Sequence, residues 1–80
     1  MSIYDSLRDY LKGFEFREVQ LTFTEIERII GRPLPKAAER PQWWANTTAI
    51  GHTQREAWRA AGFDAFLIAS SRRVRFGRAR

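Results

Sequence analysis

Phe63-Asp64-Ala65-Phe66-Leu67-Ile68-Ala69-Ser70-Ser71-Arg72-Arg73-Val74-Arg75-Phe76 is the stretch that decides the fold. Phe63–Ala69 and Arg73–Phe76 read as two β-strands joined near Ser70-Ser71, because apolar residues recur on alternate positions. With the two serines as the turn, Leu67 faces Val74 and Ala65 faces Phe76 on one side. Ile68 and Phe66 then lie against Arg73 and Arg75 on the other. Ser-Ser is not a favoured tight-turn dipeptide, so a longer loop with a different register is the open alternative.

Working back from this hairpin (63–77), the segment 53–62 is the clearest helix. Thr53 and Glu56 form a capping box and Gly62 is the stop. Ala57, Trp58 and Ala61 make its packing face, while Gln54, Arg55 and Arg59 point away from it. Segment 35–46 is interrupted by Pro35 and Pro41 and carries Trp43-Trp44. Pro35 opens a helical turn and Pro41 closes it. Adjacent residues point to different sides, so one tryptophan is core and the other faces a groove or partner.

Segment 19–31 is a short strand running into a helix. Val19, Leu21 and Phe23 alternate with polar residues. Thr22 with Glu25 and Thr24 with Glu27 are two possible capping boxes, and Leu21 with Ile26 makes a hydrophobic staple. Gly31 ends the helix. Residues 1–13 form the first helix, capped by Ser2 and stopped by Gly13, with an apolar face of Ile3, Leu7, Tyr10, Leu11 and Phe14.

These segments give a single α+β domain of 80 residues: three helices, a short strand and a C-terminal β-hairpin. That order is winged-helix-like. The long, proline-interrupted segment between Gly31 and Thr53 departs from the usual helix-turn-helix turn of about 3–4 residues. A chain this short buries roughly 60–65% of its unfolded surface. Three Trp and six Phe supply a dense core.

The run Leu21-Thr22-Phe23-x-Glu25-Ile26-Glu27-x-Ile29-Ile30-Gly31, then Leu34-Pro35-x-Ala37-Ala38, Trp43-Trp44-Ala45-Asn46, Gln54-x-x-Ala57-Trp58-x-x-Ala61-Gly62-Phe63 and Val74-x-Phe76, resembles a family of short, mostly bacterial or phage domains of uncharacterised function. The resemblance implies a compact domain of prokaryotic or phage origin and no particular activity. The apolar Ala49-Ile50-Gly51 departs from the polar loop expected there.

Charge is distributed unevenly. The chain has 14 Lys+Arg against 9 Asp+Glu, a net of +5. Every acid lies before Arg72 and is matched there by nine basic residues, so the excess is Arg72, Arg73, Arg75, Arg78 and Arg80. Guanidinium groups bond phosphates bidentately, which points to nucleic acid, DNA favoured. Gln54, Arg55 and Arg59 are the matching candidates on the helix, since Gln and Arg read base edges. Trp43, Trp44 and His52 are candidates for base stacking or partner contact. Arg73 and Arg75 are expected to be held on a strand, and Arg78 and Arg80 to be mobile. The bland counterpart is an edge strand whose charges block edge-to-edge pairing.

Other classes find little support. There is no cysteine, hence no disulfide and no Cys-based metal site, in keeping with a cytoplasmic chain. A lone His52 makes neither a metal cluster nor a catalytic pair. Glu25 and Glu27 read as caps and Ser70-Ser71 as a turn, so no catalytic residue, cofactor or metal is expected. No segment resembles a signal peptide or membrane span, and the Asn46-Thr47-Thr48 sequon has no secreted context. The alternative function is a protein-interaction module, such as a phage- or defence-related modulator docking on a larger enzyme. A two-fold dimer is compatible with the chain, though no heptad specifies one.

Overall fold

The computed structural model describes residues 3–44 and 53–78. Their elements run α1 (Asp5–Lys12), β1 (Glu18–Thr22), α2 (Phe23–Ile30), two 3-10 turns (Lys36–Glu39 and Pro41–Trp44), α3 (Thr53–Ala60), β2 (Phe63–Ile68), a third 3-10 turn (Ala69–Ser71) and β3 (Arg73–Arg78). Three helices thus join one antiparallel sheet of three strands in an α+β fold, with strand order β1-β3-β2.

The hairpin register is the one that the serine turn predicts. Ala65 pairs with Phe76, Phe66 with Arg75, Leu67 with Val74 and Ile68 with Arg73. The loop is nevertheless longer than two residues. Ala69–Ser71 make a 3-10 turn, and Arg72 closes it in the left-handed conformation at φ 50°. A four-residue loop has the same parity as a two-residue one, so each side chain keeps its face.

Strand β1 adds to the other side of β3, with Leu21 opposite Val74 and Val19 opposite Phe76. The arginine-bearing strand is therefore central. Its charges cannot be a guard against edge pairing, because both of its edges are already occupied.

Local chemistry explains how β1 turns into α2. The Thr22 side chain accepts from the Glu25 amide at 3.1 Å, and the Glu25 carboxylate accepts from the Thr22 amide at 2.8 Å. This reciprocal box fixes the strand-to-helix corner. The rival box does not form because the Glu27 carboxylate is engaged downstream by the Leu34 amide at 2.8 Å. Gly31 ends α2 at φ 75°, a conformation that costs a residue with a Cβ.

Two expectations need correction. Helix α1 begins at Asp5 with Tyr4 at the cap position and no side-chain cap, so it starts later than Ser2, which lies outside the described residues. Its buried face narrows to Leu7 and Leu11, and Tyr10 is 41% exposed. The first 3-10 turn ends before Pro41 as expected, with Arg40 extended, and Pro41 in addition opens a second one. The fixed φ of proline suits the first position of such a turn. The expected Thr53 cap involves a side chain outside the described set.

The helices cover one face of the sheet. Leu21, Phe63, Ala65, Val74 and Phe76 from the strands join Leu7, Leu11, Ile26, Trp44 and Trp58 in one core cluster. Trp44 stacks on Trp58 with centroids 5.4 Å apart. Helix α1 packs against both α2 and α3, and α3 packs against β2. Side chains at the alternate strand positions face the other way, on a surface that no helix of the described residues covers.

Candidate nucleic-acid interface

Alternation along β3 sorts the arginines. Arg73 and Arg75 share the face opposite the buried Val74 and Phe76. Arg73 is exposed between Thr22 of β1 and Ile68 of β2. Arg75 lies between Gln20 and Phe66. Its guanidinium carbon sits 4.9 Å from the Phe66 ring centroid. Its Nη1 is 3.8 Å from a Glu18 carboxylate oxygen, in a pair that stays about half exposed. Such a pair is weak in water and is easily traded for a phosphate.

Arg72 stands at the hairpin corner. Its carbonyl accepts from the Phe23 amide at 3.0 Å, which extends the β1–β3 ladder by one bond. Its guanidinium carbon lies 5.0 Å from the Phe23 ring centroid, and Nη1 bonds a Glu39 carboxylate at 3.1 Å. Glu39 is 33 residues away, so no sequence pattern points to this pairing.

Arg78 departs from expectation. It is the last residue of β3 and is held firmly. Its amide donates to the Arg17 carbonyl at 2.8 Å. Its Nη2 donates to the Phe14 carbonyl at 2.6 Å, and the guanidinium lies 4.8 Å from the Phe63 ring centroid. A cation on an aromatic face with a charge-assisted hydrogen bond is a structural clasp. By strand parity it also stands on the opposite face from Arg73 and Arg75. Arg80 and His52 lie outside the described residues.

Helix α3 offers less than its sequence suggests. Gln54 does not point outward: it is 6% exposed, and its Nε2 donates to the Trp43 carbonyl at 3.2 Å. A side chain occupied in this way is not free to read an adenine, and it leaves the candidate set. The same correction applies to Trp44, which is 1% exposed and donates its indole N–H to the Ala38 carbonyl at 2.6 Å. Trp43 is half-buried against Tyr4 and Trp44, with centroids 5.8 and 4.6 Å away. Arg59 is exposed. Arg55 is half-buried, and its Nη1 is buried without a hydrogen-bond partner among the described residues.

A family model described as a domain of unknown function (DUF7662) matches residues 4–80. The chain belongs to that family. No curated protein and no solved structure matches it. Membership of DUF7662 brings no activity with it, so side-chain placement has to supply one.

In this DUF7662 chain the Arg72–Glu39 contact also gathers charge that lies far apart in the sequence. Lys36 and Arg40 line an open depression with Ala37 and Glu39. They thus share it with the acid that Arg72 pairs with at the hairpin corner. On the neighbouring side, hydrogen bonds from the Thr22 backbone and side chain hold the Glu25 carboxyl below its ordinary pKa, and the Arg73 and Arg28 charges add to the effect. Among the described residues no group of three or more His, Cys, Asp or Glu side chains is placed to hold a metal ion, and no helix is long and apolar enough to cross a membrane.

Proposed function

We propose that this domain binds nucleic acid, DNA favoured, in a winged-helix-like arrangement with the β2–β3 hairpin as its main contact. One observation carries the reading. Arg73 and Arg75 leave a central strand on the face away from the core, and ladders on both sides of that strand fix their directions. A pre-set arginine loses less entropy on meeting a phosphate than one on a free tail. The element order α1-β1-α2-α3-β2-β3 supports the winged-helix assignment, as does the pairing of β1 with the hairpin. Arg72, with Lys36 and Arg40 beyond it, extends the positive surface around the corner. Arg55 and Arg59 remain the contacts of α3.

Affinity for a mixed-sequence DNA duplex, followed by fluorescence anisotropy against salt, tests this. Each phosphate contact contributes a log–log slope of about −0.9. The Arg73→Glu/Arg75→Glu double variant is expected to bind more weakly and to lose about two units of slope. Identical, salt-insensitive binding by both proteins refutes the proposal.

The exposed Phe16 and Phe66 favour a second reading, a protein-interaction module. Rings exposed at 70% and 44% are the kind of anchor that buried interface centres use. A preparation free of nucleic acid that co-purifies with one host protein favours that reading.

A further inference from the structure

The sheet face turned away from the helices has a composition that points to one form of nucleic acid. Register places Gln20, Arg75 and Phe66 in one row across the three strands, and Thr22, Arg73 and Ile68 in the next. The central column is cationic and one flank carries an exposed aromatic ring. The Arg75 guanidinium carbon already lies over the Phe66 ring, 4.9 Å from its centroid, and Phe66 remains 44% exposed.

From this we infer that the outer sheet face is a platform for a single strand of nucleic acid. A base lies on the Phe66–Arg75 pair, and Arg73 holds a neighbouring phosphate. The inference rests on the nucleic-acid reading above and names the form of the ligand.

Three physical points carry it. Both aromatic and guanidinium planes stack on unpaired bases, whereas a duplex hides its base faces. Arg73 and Arg75 are two residues apart on a strand, about 6.8 Å at 3.4 Å per residue, so they meet separate groups of one strand. The acids of this face, Glu18 and Asp64, both flank Gly77 at one end of the sheet, and Glu18 meets Arg75 only in the half-exposed 3.8 Å pair described above, which a phosphate can displace. An acidic peptide would satisfy the arginines, but a base offers the ring a π-face at every nucleotide beside the phosphates that the arginines hold.

The test uses the full chain, an end-labelled oligothymidine and a mixed-sequence duplex, with anisotropy at fixed low salt. The variants are Phe66→Leu, Phe66→Tyr and Arg75→Lys, each checked by circular dichroism. Phe66 is a surface residue, and leucine keeps its apolar bulk. Loss of one stacked base corresponds to about a 5- to 150-fold weaker complex. Phe66→Leu is expected to weaken oligothymidine binding by that factor, and Phe66→Tyr to retain it. Arg75→Lys keeps the charge but loses the plane, so it too is expected to weaken the complex. Duplex affinity stays within about twofold for Phe66→Leu, because a paired base gives the ring nothing to stack on.

Wild-type-like binding by Phe66→Leu and Arg75→Lys overturns the platform and leaves simple charge attraction. Failure of the wild type to bind oligothymidine overturns it as well. In that case salt-dependent duplex binding preserves the broader proposal, and absence of both forms of binding removes the two together.

Discussion

Exchange of Trp44 for Phe probes the core where the sequence left two neighbouring tryptophans undecided. Trp44 is 1% exposed, and its indole N–H bonds the carbonyl of Ala38, a residue that is itself fully buried. Phenylalanine keeps an aromatic ring facing Trp58 but removes the donor. A buried carbonyl left without a partner costs about 1–3 kcal/mol. The missing five-membered ring leaves a void of roughly 40 Å³, which at about 24 cal/mol per Å³ adds about 1 kcal/mol. The expected loss is therefore about 2–4 kcal/mol, against a total stability of about 4–12 kcal/mol for a chain of this length. At about 4–8 °C per kcal/mol for a domain of this size, Tm falls by about 8–32 °C. Trp43→Phe is the internal control. Trp43 is half-buried, keeps its ring contacts as phenylalanine, and is expected to cost under about 1 kcal/mol. Urea unfolding followed by far-ultraviolet circular dichroism measures both, with an unchanged m value as the sign of an unchanged unfolded state. Equal losses for the two variants, or a loss below about 1 kcal/mol for Trp44→Phe, would refute the reasoning.

Other expectations follow from the corners and the clasp. Thr22→Ala is expected to cost about 1 kcal/mol at neutral pH by opening the capping box, measured by urea midpoint. The Glu25 pKa is lowered in the folded chain, so its stabilisation is complete above the ordinary glutamate range and is lost as pH falls through the lowered value. The stability gap between wild type and Glu25→Gln should thus narrow at acid pH, and a constant gap would count against the box. Gly31→Ala forces a Cβ into the left-handed region at φ 75° and is expected to cost about 1 kcal/mol by thermal melt. Gly77→Ala meets open space without a positive φ and should be near neutral. Arg78→Ala breaks the contacts to Phe14 and Phe63 and is expected to cost about 1 kcal/mol, whereas Arg73→Ala stays within about 0.5 kcal/mol. Similar melting points for those two variants would refute the separation of the arginines into a clasp and a contact surface.

Much of the fold was legible because it is written in short-range rules. The strand-to-helix corner at Thr22, the stop at Gly31 and the faces of the hairpin all depend on residues within a few positions of one another. Parity protected the register even though the loop is longer than the Ser70-Ser71 turn implies. The failures share one physical cause. Gln54, Trp44, Arg72 and Arg78 each have a partner from another part of the chain: the Trp43 carbonyl, the Ala38 carbonyl, Glu39 and the Phe14 carbonyl. Helical spacing put Gln54 on the polar side of α3, but it does not reveal that Trp43 lies across from that side. Charge counting found the arginine excess and could not reveal that Arg78 faces away from Arg73 and Arg75. Of the candidate site, the Arg73–Arg75 face with Phe66 and Ile68 was readable from alternation alone.

The strand order has a consequence for how the chain acquires its structure. Strands β1 and β2 are not neighbours, and each is joined to the sheet through β3, which comes after them both. A nascent chain synthesised as far as Ser71 contains two strand-forming segments with nothing between them to pair with. Closing β1 onto β3 also spans more than fifty residues, a slow, non-local step. Sheet formation is therefore all-or-none with respect to residues 73–78. The same short segment that carries the cations decides when the domain can fold at all, so variation at its inward positions, Val74 and Phe76, is filtered by folding before any ligand is met.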